Sequence, residues 1–169
     1  YQSPACSRTG VYFVDGNTGE AGRCLRAVDP VRGAERWRRP LADGASGAMV
    51  LTWDPAATAK RWQSAVDGNA TGSFDFTWDR LLIADLADGL TCLDTSDLAQ
   101  PREVWKAQTG PVVGAPCLLG EELALVAVQS PPKIVAVEAN SGARRWELPL
   151  ASPPTTGPVV AGPRVWVRS

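Results

Sequence analysis

The chain has 169 residues, 44% of them hydrophobic and 21% charged, enough for a domain with its own core. Its formal net charge is -1 and its one basic cluster is Arg36-Trp37-Arg38-Arg39, so nothing electrostatic points to nucleic acid. It contains no histidine, which excludes Ser-His-Asp and Cys-His hydrolases and most catalytic zinc sites.

No apolar run is long enough to span a bilayer; the best, Leu123 to Val128, is strand-sized, and no membrane span is expected. Tyr1-Gln2-Ser3-Pro4 has neither the basic start nor the apolar core of a signal peptide, so any export signal is expected to have been removed or to lie outside this sequence. The first predicted element is the stretch from Ser3-Pro4-Ala5 to Val11-Tyr12-Phe13-Val14, a short strand followed by a second. Asp15-Gly16-Asn17-Thr18-Gly19-Glu20 then opens like a calcium loop but departs from it. Gly19 and Glu20 stand where a ligand and a glycine belong, and Arg26 stands where the closing glutamate belongs. It reads as a tight hairpin turn, as do Asp43-Gly44, Asp67-Gly68 and Asp88-Gly89.

The next segment, Ala27-Val28-Asp29-Pro30-Val31-Arg32-Gly33-Ala34-Glu35-Arg36-Trp37, recurs as Ala136-Val137-Glu138-Ala139-Asn140-Ser141-Gly142-Ala143-Arg144-Arg145-Trp146. A third copy runs from Cys92-Leu93-Asp94 to Trp105 with three extra residues in its turn. In each copy a strand ends in an acid and a turn, and the return strand ends in tryptophan. The acid is expected to accept hydrogen bonds from turn amides, while glycine in two copies supplies a positive φ. The indole offers each unit a large apolar plate to dock on its neighbour. Trp37, Trp105 and Trp146, with Asp29, Asp94 and Glu138, are therefore read as structural docking residues, and all three indoles are expected to be buried. Trp105 and Trp146 lie 41 positions apart, the period of a four-stranded propeller blade.

Trp37 and Trp105 are 68 apart, too far for one blade and too near for two. Residues 42–76 are read as an insertion or a degenerate short blade. Trp53, Trp62 and Trp78, interleaved with charges, make a candidate binding surface, against the plainer reading of a half-buried strand. Asn69-Ala70-Thr71 matches a glycosylation sequon, a weak signal by itself. Cys6, Cys24, Cys92 and Cys117 form no C-x-x-C pair and sit in or beside apolar runs. They read as small buried hydrophobes, with one or two disulfides as the alternative. Thr156-Gly157-Pro158-Val159-Val160 to Arg164-Val165-Trp166-Val167 begins the unit once more, as Gly110-Pro111-Val112-Val113 did before.

The pattern Ala-x-Asp-x-x-x-Gly-x-x-x-Trp resembles the tryptophan-docking motif of the pyrroloquinoline-quinone (PQQ) type β-propeller repeat. That resemblance covers most of the chain and implies an all-β fold, a partial propeller of three to four four-stranded antiparallel blades over residues 1–169. Family members include quinone-dependent dehydrogenases and a non-catalytic outer-membrane assembly lipoprotein, so the motif speaks for fold more than for activity. The quinone enzymes hold PQQ and calcium with acidic and amide side chains and often carry two adjacent cysteines. No two cysteines are adjacent here, so no catalytic, cofactor or metal residue is carried over and no cofactor is expected. The expectation is a non-catalytic binding or scaffolding module in an extracytoplasmic bacterial setting, periplasmic or extracellular. Its partner would be a protein or the remaining blades of the same propeller. A segment of a PQQ-dependent dehydrogenase and an extracytoplasmic sensor or adhesion domain are the alternatives.

Overall fold

The computed structural model describes residues 4–7, 10–15, 22–41, 48–52, 79–85 and 89–169. These fold into three four-stranded antiparallel sheets and one two-stranded sheet, with no helix among them. The first sheet joins β1 (Ala5–Cys6), β2 (Val11–Asp15), β3 (Cys24–Val28) and β4 (Glu35–Pro40) in chain order. The second joins β5 (Met49–Thr52), β6 (Arg80–Asp85), β7 (Gly89–Asp94) and β8 (Arg102–Gln108). The third joins β9 (Val112–Leu119), β10 (Leu123–Val128), β11 (Lys133–Glu138) and β12 (Arg144–Pro149). Last come β13 (Val159–Ala161) and β14 (Arg164–Trp166), paired only with each other. The chain is a partial β-propeller, and its described residues form three blades and two strands of another.

Alternation along each strand divides every blade into two faces, and the faces stack. Tyr12, Leu25, Ala27 and Trp37 of the first blade pack with Met49, Leu81, Ile83 and Leu93 of the second. Leu82, Ala84, Leu90 and Cys92 point the other way and pack with Ala124, Val126, Val128, Val135 and Val137 of the third. The middle blade is thus apolar on both faces, which is why Leu81-Leu82-Ile83-Ala84 reads as an unbroken hydrophobic run rather than an alternating one.

Each blade carries the same irregularity. The register shifts between Ala27 and Val28, between Cys92 and Leu93, and between Ala136 and Val137. Ala27 faces Trp37 while Val28 faces Glu35, so Arg36 is an extra residue; Val104 and Arg145 occupy the same place in the later blades. This bulge lies one residue before the tryptophan and re-aims the return strand at that point. Most of the 42–76 segment falls outside the described residues. Within it, Met49–Thr52 is the first strand of the second blade.

Two sequence expectations need correcting. Cys92 is buried, but Cys24 and Cys117 are half-buried and Cys6 is exposed, and all four are free thiols. Cys6 sits in a two-residue strand with one paired edge, which cannot enclose it. Of the three indoles expected to be buried only Trp37 is; Trp105 is half-buried and Trp146 is 40% exposed, the latter for a reason that the geometry below supplies.

Candidate functional site

The acid at the end of each third strand organises the turn that follows. Asp29 Oδ1 accepts from the amides of Val31 (2.9 Å) and Arg32 (2.8 Å), and Oδ2 accepts from Arg36 Nη2 at 2.7 Å. The Arg32 amide, the Arg36 guanidinium and the Val31 amide hold the Asp29 carboxyl down at about 2. Asp94 accepts from the Ser96 amide and hydroxyl and from Arg102. Partial burial pushes its pKa up, but those hydrogen bonds prevail and leave it below the ordinary value. Glu138 takes the hydroxyl of Ser141 at 2.6 Å and pairs with Arg145 at 3.3 Å. Arg36 and Arg145 are the bulge residues of the first and third blades, so there the acid ties the turn to the bulge.

The first and third turns are closed by identical backbone bonds. Asp29 N–H donates to Ala34 and Gly33 N–H to Asp29; Glu138 N–H donates to Ala143 and Gly142 N–H to Glu138. Gly33 and Gly142 have φ of 66° and 71°, a region that side chains with a Cβ avoid. The second turn has three more residues and no glycine between Asp94 and Trp105.

The third of these turns seats an indole. Trp105, on the outer strand of the second blade, donates from Nε1 to the Ala139 carbonyl at 3.2 Å. Its ring covers Gly142 so closely that a Cβ there would stand 2.5 Å from Cε3 and 2.7 Å from Cδ2. Beside it an open cleft of about 420 Å³ is lined by Lys106, Gln108, Thr109, Gly142 and Arg144, and Arg144 Nη2 reaches across to the Gln108 carbonyl at 3.2 Å. Trp37 is 7% exposed, its ring 5.9 Å from that of Tyr12, within the core shared by the first two blades. At the rim Arg39 and Glu103 pair at 2.7 Å across the same junction. Trp146 occupies the matching register, opposite Ala136, but no third and fourth strands follow β14 among the described residues to bring a turn over it.

The two ends differ in chemistry. At the C-terminal end Trp146, Leu148, Val159, Val165 and Trp166 are all exposed. At the N-terminal end the outward face of the first blade carries Arg26, bonded to Asp15 at 2.7 Å and to Glu35 at 2.6 Å. By register, Asp15 and Arg26 stand where the third blade has the buried valines 128 and 135. Gly33 lies open, with no described residue near the place of a Cβ. The charged trio escaped the sequence reading; its signal was an arginine in mid-strand where the other copies have Thr91 and Val135.

Trp53, Trp62 and Trp78 lie outside the described residues. Among the described residues no three carboxylate or thiol side chains gather, so they offer no ligand set of the kind PQQ and calcium require. Nothing in the geometry derives a step through that cofactor.

A sequential stack of four-stranded antiparallel blades, each with an acid at the end of its third strand and a tryptophan in its fourth, defines a PQQ-like β-propeller. The sequence model of the outer membrane protein assembly factor BamB matches residues 21–168, and the chain belongs to that family. The crystal structure of BamB from Moraxella catarrhalis is similar with a TM-score of 0.66 at 17% identity, a likeness of fold. The match covers 99% of this chain and 42% of that one, so the chain spans less than half of the propeller it resembles. No curated protein sequence matches the chain.

Proposed function

We infer that this chain is a non-catalytic scaffold, a propeller segment that works by binding protein in an extracytoplasmic compartment. The observation that carries this reading is the apolar set Trp146, Leu148, Val159, Val165 and Trp166, exposed together on the last elements of the fold. Contiguous apolar surface is uncommon on soluble proteins and marks association sites. The repeated acids support the same reading, since each one bonds its own turn and an arginine on the return strand. Membership in the BamB-like family is consistent with it.

The test is calorimetric titration with PQQ and calcium, followed by dye reduction with an alcohol substrate. The expected outcome is no heat and no reduction. Micromolar binding with turnover would overturn the scaffold reading and make the chain part of a quinoprotein dehydrogenase.

A further inference from the structure

The two blade junctions are equivalent by register, yet their rims finish differently. At the first, Arg39 stands two residues beyond Trp37 and Glu103 two residues before Trp105, and the pair closes at 2.7 Å. At the second, the same places hold Ala107, two beyond Trp105, and Arg144, two before Trp146. Strand pairing confirms the match: Arg39 lies opposite Leu25 as Ala107 lies opposite Leu90, and Glu103 opposite Leu93 as Arg144 opposite Val137. A methyl group thus replaces the arginine stem, and a guanidinium replaces the acid.

The cleft of about 420 Å³ lies where this exchange has been made. Ala107 and Arg144 both line it, and the lining residues include two cations and no acid. Four-stranded sheets flank it on both sides, away from either end of the chain.

Arg144 is placed to change partners. Its Nη1 reaches Glu147 at 3.2 Å and its Nη2 reaches the Gln108 carbonyl at 3.2 Å, both long for bonds from a charged donor. The side chain is half exposed, and Glu147 keeps Lys133 at 2.9 Å if the arginine turns away. An incoming carboxylate would then meet a guanidinium fork. The open cleft, left by one missing side chain, would bury little of a free small molecule, whereas ligand pockets enclose most of theirs. It suits an acidic side chain that projects from a protein surface.

We propose that the cleft between the second and third blades receives a glutamate or aspartate side chain of a protein partner, its carboxylate paired with Arg144. The pair would repeat across two polypeptides, with the charges exchanged, what Arg39 and Glu103 do across the first junction. The proposal rests on the scaffold reading and names the chemistry of its partner.

The probe is a hexaglutamate peptide with blocked ends, titrated into the full chain and followed by NMR. The Trp105 indole N–H, which bonds the Ala139 carbonyl beside the cleft, is the reporter, assigned with Trp105→Phe. Its signal should shift to saturation with a midpoint near or below about 1 mM. Arg144→Gln should weaken binding about threefold or more, and so should raising salt from about 50 mM to about 500 mM. Ala107→Arg combined with Arg144→Glu rebuilds the pair of the first junction inside the cleft and should abolish the shift. If that double variant does not fold, Arg144→Gln decides alone. Hexaglutamine should not bind. An unmoved Trp105 signal, or binding that Arg144→Gln leaves unchanged, would overturn the proposal. Free glutarate that shifts the signal with the same midpoint would overturn it too, because the cleft would then be a site for small anions. Failure of the peptide without PQQ turnover would sink this proposal alone; PQQ turnover would sink the scaffold reading.

Discussion

The junction between the second and third blades and the C-terminal end are built from the same parts. At the junction Trp105 stacks on Gly142 and bonds the Ala139 carbonyl; at the end Trp146, in the same register behind the same bulge, stands 40% exposed. The difference teaches that the motif is only half of an interaction. The acid, bulge and arginine aim the indole from within its own blade, while its burial depends on a glycine turn in the next one. The N-terminal end shows the complement, a finished turn at Asp29–Gly33 with no indole on it among the described residues.

Valine in place of the two turn glycines should separate these states most widely. Gly142→Val meets both a positive φ and the Trp105 ring and should cost about 3–5 kcal/mol in denaturant unfolding. Gly33→Val meets only the backbone penalty and should cost about 1–2 kcal/mol. Equal costs would break the comparison, because the ring over Gly142 would then contribute nothing.

Trimming the indoles gives the next largest contrast. Trp37→Ala and Trp105→Ala remove packed rings and should each destabilise by about 2–4 kcal/mol. Trp146→Ala should cost about 1 kcal/mol or less, since a half-exposed ring has little packing to lose. A large loss at Trp146, measured on a monodisperse monomer, would show that its surroundings are tighter than this arrangement allows.

The smallest effect is electrostatic. Asp29 is held near 2 in the folded chain, below its ordinary value of 3.8. A depressed carboxyl stabilises the fold fully above the unfolded value, and that stability drains as pH falls from about 4 towards 2. Asp29→Asn should therefore flatten the pH dependence of unfolding in that window and leave it unchanged near neutrality. An identical acid limb in the variant would detach Asp29 from turn stability.

The repeat and its period determined the architecture from the sequence alone, because a propeller blade is a local object. Its strands are neighbours in the chain, and its acid and tryptophan sit at short offsets, with a glycine between them in two of the three copies. The half-unit at the C-terminus was legible for the same reason. Burial of the tryptophans was not, since it is set by residues about 35 positions away and, for Trp146, by a turn that no described residue provides. The bulge was also invisible, because an extra residue in a strand changes register without changing composition. Nor could the sequence show that Arg26 closes on both Asp15 and Glu35, which lie far apart in the chain but adjoin on one face of the first blade. Short-range pattern fixed what each blade is; only the stacking of blades decided which of its surfaces remain available.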